Sequence, residues 1–270
     1  MHPLLNIAVR AARKAGDFIA RRSNQLDGIT VSVKDRNDFV TEVDQLAEQE
    51  IIQVIHKAYP DHAILAEESG ASGDNETVWI IDPLDGTTNF IHNLPHFAVS
   101  IAVRHRGRIE HGVIYDPIRQ EMFTSSRGAG ALLNDRRMRV TQLRTLDQAV
   151  LGTGIPFSDM RHADAYFPML QTFAGKAAGI RRAGSAALDL AYVAAGRLDG
   201  FWEIGLKPWD MAAGVLLIEE AGGVCGDLTG APRHMETGNI VCGNSRVFAA
   251  MVNDIAPFLT PALGRVVTPN

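Results

Sequence analysis

The sequence predicts a mixed α+β protein in which helices are layered on sheets, divided into two subdomains. In the first half, three strand-like runs with short connections follow one another between residues 97 and 126, which is typical of an antiparallel meander. In the second half, apolar runs of strand length alternate with helical patterns, which is typical of sheets covered by helices. A polar segment at residues 134–145 separates the halves, so we expect subdomains at residues 1–143 and 144–270.

The composition favours a soluble globular protein over a nucleic-acid-coating or membrane protein. The 270 residues are 46% hydrophobic and 21% charged, which is typical of globular proteins. The net charge of −5 argues against wholesale nucleic-acid binding, although a local basic patch is compatible with it. No apolar run approaches the length of a membrane span, and the N-terminus lacks a signal-type apolar region. We therefore expect a cytoplasmic protein with no membrane contact.

Two helices and a short strand are predicted before the middle of the first half. Apolar residues at helical spacing indicate an amphipathic helix over residues 3–24. Its other face is basic and carries Arg10, Arg13, Lys14, Arg21 and Arg22. A strand at residues 31–34 and a polar turn at 35–38 precede a second helix, which begins near Thr41 and ends at Tyr59 before Pro60. Thr41 and Asp44 have the spacing of a capping box, which favours a structural role for both.

The central stretch of the sequence is residues 78–90. A strand at residues 63–66 delivers Glu67 and Glu68, and a polar loop at 70–75 leads to the apolar run 78–81. This second run ends on Asp82, is broken by Pro83 and turns into a helix start. Carboxylates on such a turn attract a hard cation, and free amides at a helix start favour phosphate. A plain loop is the simpler interpretation of this stretch alone.

The second half is predicted to alternate between strands and helices. The predicted strands are 150–154, 180–183, 200–204, 224–228 and 240–242, and the predicted helices are 163–173, 185–195, 210–221 and 246–259. Ser185 and Asp210 stand where helix N-caps are expected, and the tail after Pro261 is expected to be loose. Cys225 and Cys242 lie in apolar strand-like runs, which favours free buried thiols and leaves a disulfide as the alternative.

Four carboxylates end apolar strands or open helices: Glu67, Asp82, Asp85 and Asp210. If these groups converge, their like charges cannot all stay ionised without cations. Oxygen ligands without Cys or His select Mg²⁺ or Mn²⁺ over zinc. Two such ions can activate a water molecule and stabilise a leaving oxygen in an in-line displacement.

Several motifs in order resemble those of the inositol monophosphatase family. The run Trp79–Phe90 resembles the first family signature, and Trp209–Gly214 resembles the second. The spacing of Lys34, Asp38, Thr41 and Asp44, of Glu67-Glu68 and of residues 184–187 also fits. The resemblance runs from about residue 4 to about residue 260, and in detail it is nearest to the bacterial extragenic-suppressor type. It implies a layered αβαβα sandwich that hydrolyses phosphate monoesters with Mg²⁺ and is inhibited by Li⁺.

The resemblance implies a ligand set for two to three Mg²⁺ ions, with Mn²⁺ as a substitute. Glu67, Asp82 and the backbone carbonyl of Leu84 would hold the first ion. Asp82, Asp85 and Asp210 would hold the second, and Glu67 would border a weaker third site.

The resemblance also implies catalytic and substrate-binding roles. Thr87, paired with Asp44, would orient or deprotonate the attacking water with help from Glu67. The remaining implied substrate contacts, around the phosphate and the alcohol, are Asp85, Gly86, Thr87, Thr88, Arg181, Gly184, Ser185, Ala186, Glu203 and Asp210.

Two alternatives belong to other classes of protein. Phosphatases of the haloacid-dehalogenase type use acids at i and i+2, whereas Asp82 and Asp85 are at i and i+3 across a proline, which suits metal ligation around a turn. The second alternative is an interaction protein of the antitermination complex that transcribes ribosomal RNA, with phosphatase activity secondary. The resemblance further implies a homodimer, and it leaves the substrate open among inositol phosphates, sugar bisphosphates and nucleotide phosphates.

Overall fold

The computed structural model describes residues 2–23, 30–35, 38–157 and 159–263. The tail predicted to be loose falls, from residue 264 onward, outside the described residues. In the described ranges, no helix is both long enough and apolar enough to span a bilayer.

The chain begins with a long helix, a hairpin and a second helix: α1 (Pro3–Ser23), β1 (Val31–Asp35), β2 (Asp38–Thr41) and α2 (Glu42–Ala58). The apolar stripe predicted on α1 is buried, and α1 packs along α2. Thr41 accepts from the amide of Val43 and closes a capping box with Asp44, as the spacing predicts.

Eight strands form the larger sheet. They are β3 (Ala63–Ala66), β4 (Gly70–Ser72), β5 (Thr77–Asp85), β6 (Ala98–His105), β7 (Arg108–Asp116), β8 (Glu121–Ser126), β9 (Gly130–Leu133) and β10 (Arg136–Arg137). Their spatial order is β10-β9-β8-β7-β6-β5-β3-β4, and the neighbours pair antiparallel except for the parallel pair β3–β5. The meander predicted between residues 97 and 126 is therefore confirmed as β6 to β8.

The central strand β5 is buried on both faces, which explains its continuous apolar run. Trp79 and Ile81 pack in the core beneath α1 and α2, whereas Ile80 packs in a second core on the other side of the sheet. A short helix, α3 (Thr87–Ile91), follows β5 directly.

The described part of the second half forms a five-stranded sheet and five α-helices. The strands are β11 (Val150–Thr153), β12 (Gly179–Arg181), β13 (Gly200–Glu203), β14 (Val224–Gly226) and β15 (Ile240–Gly243), in the order β12-β11-β13-β15-β14. The helices are α4 (Ala163–Ala174), α5 (Ala186–Ala194), α6 (Pro208–Glu220), α7 (His234–Thr237) and α8 (Ser245–Ile255).

These elements stack in five layers. Helices α1 and α2 cover one face of the larger sheet, and α5 and α6 lie between the two sheets. Helices α4 and α8 cover the far side of the smaller sheet. The α+β fold with an αβαβα sandwich is thus confirmed. The core around α5 and α6 takes residues from both halves, such as Phe123 and Phe201, and the division at residue 143 stays a prediction.

Several local predictions need correction. The loop predicted at residues 70–75 contains β4, the polar segment predicted at residues 134–145 contains β10, and the unpredicted strand β9 lies just before that segment. Strand β5 does not stop at Asp82 but continues through a bulge to Asp85. Helix α6 begins two residues earlier than predicted, with Pro208 in its first turn and Lys207 as N-cap, so Asp210 is not the cap residue.

Candidate active site

The bulge in β5 holds two acidic residues on backbone that has left the regular ladder. Pairing with β6 shifts register between Asp82 and Asp85. Asp82 is 1% exposed, and its Oδ1 accepts a hydrogen bond of 3.0 Å from the amide of Leu84. The proline predicted to break the strand thus re-aims its end instead of stopping it.

The turn after the bulge requires glycine. Gly86 has a φ of 99°, in the left-handed region that glycine adopts readily. A Cβ atom there would lie 3.0 Å from the carbonyl oxygen of His96 and 3.2 Å from that of Gly184. This close approach brings the loop before α5 against the start of α3.

The side chain of Asp44 joins the cap of α2 to the start of α3. Its Oδ2 accepts from the amide of Thr41 at 2.8 Å and from the Thr41 hydroxyl at 2.5 Å. Its Oδ1 accepts from the Thr87 hydroxyl at 2.9 Å. Burial raises the pKa of Asp44, and the hydrogen bonds from Thr41 and Thr87 oppose that rise. The capping interpretation and the predicted pairing with Thr87 therefore both hold.

Hydrogen bonds of Asp85 and Asn89 join the first half to the loop before α5 and to its start. Oδ2 of Asp85 accepts from the Ser185 hydroxyl and, at 2.8 Å, from the amide of Ala187. The amide group of Asn89 donates to the carbonyl oxygens of His96 at 2.8 Å and Ala183 at 2.9 Å. These bonds place the loop predicted to contact substrate beside the bulge.

The start of α6 is tied to the larger sheet. The hydroxyl of Ser100 donates to the carbonyl oxygen of Trp209 at 3.1 Å. Oδ2 of Asp210 accepts from the amide of Lys207 at 2.7 Å, so this carboxylate serves the helix start although it is not the N-cap. Asp210 thereby arrives near the acids of β5 from 125 residues away in the sequence.

Two of the four predicted metal ligands, Asp82 and Asp210, have pKa values raised by the charges of neighbouring acids. Burial raises the pKa of Asp82 well above its usual range, and the charges of Glu67, Asp85 and Asp210 raise it further. Burial and the charges of Asp85 and Glu67 likewise raise the pKa of Asp210. Burial raises the pKa of Asp85 to about 6, against the hydrogen bonds it accepts. The sequence prediction that these acids converge is consistent with this mutual repulsion.

The donor chemistry fits Mg²⁺. Among the described residues, hydrogen bonds engage Oδ1 of Asp82 and Oδ2 of Asp85 and Asp210, which leaves a second oxygen on each for a cation. Buried carboxylates that repel one another are stabilised by a hard cation with oxygen ligands. In the same ranges no three His, Cys, Asp or Glu side chains form a preformed metal cage.

A second acidic cluster, formed by Glu203 and Asp189, lies near the end of β13. Burial and the charges of Asp189 and Asp85 raise the pKa of Glu203 to about 8, and Arg182 opposes this rise. Gly154 makes room for this side chain, because a Cβ atom at residue 154 would lie 1.8 Å from Oε1 of Glu203. Burial also raises the pKa of Asp189, which the sequence does not single out. Glu203 is therefore held in a confined acidic corner.

The other residues predicted to contact the substrate differ in their exposure and in their partners. Ala186 opens α5 and is buried, whereas Thr88 in α3 is exposed. Arg181 is exposed and donates to the carbonyl oxygen of Ile180 at 3.1 Å. Its neighbour Arg182 is the arginine whose charge acts on Asp189 and Glu203. The side chains of the Lys34 and Asp38 motif lie outside the described residues.

Two supporting residues escaped the sequence analysis. Glu48 in α2 is buried, and its carboxylate accepts from the amides of Glu68 at 2.8 Å and Ser69 at 2.9 Å. It fixes the turn that follows Glu67. Asn89 joins the halves as described above. Asn89 could have been found, because it lies within the first family signature. Glu48 sits in an ordinary helical pattern that gives no sign of its role.

A cavity of about 1210 Å³ lies elsewhere, lined by residues such as His2, Tyr59, His62, His105 and His111. None of the predicted catalytic or metal-binding residues, all of which are described, lines it.

Comparison with known proteins shows the family of the chain. The model of the inositol monophosphatase family matches residues 1–259. The Nus factor SuhB of Pseudomonas aeruginosa is 56% identical over 271 residues, covering 98% of this chain and 100% of that protein. The crystal structure of the extragenic suppressor protein SuhB of Bartonella henselae superposes with a TM-score of 0.92 at 44% identity, over 94% of this chain and 98% of that one.

A more distant structure has the same fold. The inositol monophosphatase of Anabaena superposes with a TM-score of 0.83 at 38% identity, over 94% of this chain and 95% of that one. Motifs, layers and both kinds of comparison agree over nearly the whole length. The chain therefore belongs to the inositol monophosphatase family, a family of phosphatases.

Proposed function

We propose that the chain is a Mg²⁺-dependent phosphomonoester hydrolase that converts inositol 1-phosphate to inositol and phosphate by attack of water. The observation that carries the proposal is the group of acids Glu67, Asp82, Asp85 and Asp210, in which the charges of the neighbouring acids raise the pKa of Asp82 and of Asp210. Family membership supports phosphatase chemistry at this site.

We propose the ligand set that the family resemblance implies. Glu67, Asp82 and the carbonyl of Leu84 would hold one Mg²⁺, and Asp82, Asp85 and Asp210 a second, with Glu67 bordering a third. When bound, the ions would supply positive charge that polarises the phosphate and the water. Mn²⁺ fits the same oxygen ligands. Li⁺ is expected to compete at one of these sites.

The Thr87–Asp44 pair suits the activation of water. The Thr87 hydroxyl donates its hydrogen to Asp44, so its lone pairs can accept from a water molecule in front of the phosphate. As the water attacks, its proton passes to the Thr87 oxygen and the Thr87 proton passes to Asp44. The raised pKa of Asp44 favours this uptake. Glu67 assists in holding the water.

Substrate would be held on both sides of the bulge. The amides of Gly86 and Thr87 bind the phosphate, with Thr88 beside them. The alcohol lies toward Gly184, Ser185 and Ala186, with Arg181 and Glu203 at its rim. We name inositol 1-phosphate as the substrate, ahead of sugar bisphosphates and nucleotide phosphates, because the chain belongs to the inositol monophosphatase family.

A phosphate-release assay tests this function. We expect turnover of inositol 1-phosphate with Mg²⁺, inhibition by Li⁺, and no turnover with excess chelator. A single turnover in ¹⁸O-labelled water should place the label in phosphate and leave every Asp unlabelled. Full turnover in chelator would contradict metal dependence, and a phosphorylated Asp82 would point to the haloacid-dehalogenase mechanism.

A second candidate function is binding to transcription elongation and antitermination factors. Relatives that are 56% identical bear the name Nus factor. Lys14 and Arg22 pair with Glu50 and Glu42, but among the described residues Arg10, Arg13 and Arg21 make no ion pair. Arg10, Lys14 and Lys57 line a groove of about 660 Å³ beside α1.

Charge reversal separates this function from hydrolysis. Arg10→Glu with Arg13→Glu should weaken pull-down of elongation factors and leave hydrolysis intact, because surface charges mainly steer association. The matched control is Arg136→Glu with Arg246→Glu, which reverses two exposed charges elsewhere. Equal binding by both double variants at physiological salt would make the basic face a plain solvated surface.

The working form is proposed to be a cytoplasmic homodimer. Its support, beyond the family resemblance, is a group of exposed apolar side chains, Phe157, Met160 and Phe167, each at least 38% exposed. Sedimentation equilibrium distinguishes a dimer from a monomer directly.

A further inference from the structure

The two cysteines of the chain face each other across the smaller sheet. Strands β14 and β15 are antiparallel, and Cys225 lies directly opposite Cys242. Residues that oppose each other in this way have Cα atoms about 4.5–5.5 Å apart and side chains on the same face. A disulfide needs Cα atoms roughly 4.4–6.8 Å apart. The sheet therefore already holds the pair at bonding range, although both thiols are free.

The two thiols differ in access. Strand β14 is the edge strand of its sheet, whereas β15 lies between β14 and β13. Cys225 is partly exposed and Cys242 is fully buried. An oxidant from solvent therefore meets Cys225 first, with Cys242 beside it as the resolving thiol.

The surroundings of Cys225 slow its reaction. Contact with the Cys242 thiol, burial and the charge of Glu219 all raise the pKa of Cys225. Because the thiolate is the reactive form, the pair stays reduced under mild conditions and responds to sustained exposure.

We propose that Cys225 and Cys242 are an oxidisable dithiol, a modification site for hydroperoxides that closes to an intramolecular disulfide joining β14 to β15. In the first step the sulfur of Cys225 takes one oxygen as the O–O bond breaks, which gives a sulfenic acid and an alcohol, or water from hydrogen peroxide. In the second step the sulfur of Cys242 attacks that of Cys225, the S–S bond forms, and the S–O bond breaks with loss of water. Two electrons and two protons leave the thiols and reduce the peroxide.

The disulfide would close a loop of residues 225–242 that contains α7. Closing this loop restricts the unfolded chain, so the oxidised protein should melt at a temperature several degrees higher. Cys242 pairs with Phe201, two residues before Glu203 in β13. The disulfide stiffens the strand next to the one that carries this acid without touching the acids of β5.

The test treats the full chain with hydrogen peroxide and blocks remaining thiols with N-ethylmaleimide. We expect an intact mass lower by two hydrogen atoms, a cross-linked peptide that contains residues 225 and 242, and reversal by dithiothreitol. The product should run as a single chain on a non-reducing gel. Persistence of both free thiols, disulfides between chains, or irreversible oxidation of Cys225 beside a free Cys242 would overturn the proposal.

Two variants assign the roles of the thiols. Cys242→Ala should let the sulfenic acid of Cys225 accumulate, where dimedone labels it. Cys225→Ser should leave Cys242 unoxidised at the same peroxide dose, because Cys242 has no exposure of its own. Equal oxidation of Cys242 in the Cys225→Ser variant would show that the pair does not act in sequence.

Discussion

Asp44 shows how one side chain can serve both the fold and the chemistry. The cap of α2 uses Oδ2 of Asp44, and the contact with Thr87 uses Oδ1. Asparagine can keep its oxygen toward Thr41 but must turn its amino group toward Thr87. The Thr87 hydroxyl would then accept where it now donates, and a proton could no longer pass to residue 44.

We therefore expect Asp44→Asn to keep its melting temperature within a few degrees and to lose turnover by about 10² to 10⁴-fold. Thr41→Ala should show the opposite pattern, because losing an N-cap hydroxyl costs about 1 kcal/mol of stability and leaves the Thr87 contact in place. Thermal melts and kcat for both variants give the comparison. Unchanged turnover in Asp44→Asn would reduce Asp44 to a helix cap.

For Mg²⁺ binding, we expect the negative charge of Asp85 to matter more than the hydrogen bonds that Asp85 accepts. An asparagine oxygen can still accept from Ser185 and from the amide of Ala187, so Asp85→Asn should fold normally. It removes one ligand charge and should weaken Mg²⁺ binding by at least about tenfold. Calorimetric titration with Mg²⁺ measures this, and Asp135→Asn on an exposed turn is the matched control. An unfolded Asp85→Asn protein would mean that Asp85 mainly holds the turn.

At the scale of elements, the ends of β11 and β13 approach so closely that a side chain fits on only one of them. The chain has glycine at residue 154 and the carboxylate of Glu203 in the same space. Gly154→Ala should push Glu203 aside and raise KM by about tenfold or more, with a smaller effect on kcat. Steady-state kinetics with inositol 1-phosphate tests this.

Gly175→Ala is the control for Gly154→Ala. A Cβ atom at residue 175 would come no closer than 3.6 Å to its nearest neighbour, an ordinary contact, and the φ of Gly175 is not positive. A KM that stays unchanged in Gly154→Ala would remove Glu203 from the substrate-binding surface.

Elements were predictable from sequence where both faces of a strand or one stripe of a helix are buried. The run 78–81 was found because Ile80 and Ile81 pack into different cores. Strands β4, β9 and β10 were missed because they are short and lie toward the ends of the sheet, where a few polar or glycine residues suffice for pairing. The start of α6 was predicted two residues late, because the preference of Pro208 for the first turn of a helix was not used.

The candidate site was only partly predictable, since its contacts join distant parts of the chain. Asp85 and Ser185 are 100 residues apart, and no local pattern encodes their hydrogen bond. The motif resemblance supplied the grouping of the acids. The packing of α5 and α6 between the sheets is what brings the two halves together.

At the scale of the whole molecule, the acidic cluster should make stability depend on pH. The pKa of Glu203 is raised to about 8 and that of Asp85 to about 6, whereas unfolded carboxyl groups titrate near pH 4. Between these values the folded protein binds more protons, so its stability falls as pH rises. The metal-free protein should melt several degrees lower at pH 8 than at pH 5.

Mg²⁺ should offset this loss, because it binds the deprotonated acids. Its stabilising effect is expected to be small at pH 5 and large at pH 8. Melts in chelator and in saturating Mg²⁺ across this range measure both trends. A melting temperature that rises from pH 5 to pH 8 in chelator would contradict the burial of these acids.

The joining of the two halves at the site also has a consequence during synthesis. Asp85 leaves the ribosome 125 residues before Asp210, which at about 5–20 residues per second is roughly 6–25 s. For the first 100 residues of that interval Asp85 has neither Ser185 nor Ala187 to bind, and until its end β5 lacks the full α6 that covers it. Nascent chains stalled before residue 185 should therefore be cleaved readily by protease, and chains stalled well after residue 243 should resist it. Equal resistance at both lengths would show that the first half folds without its partner.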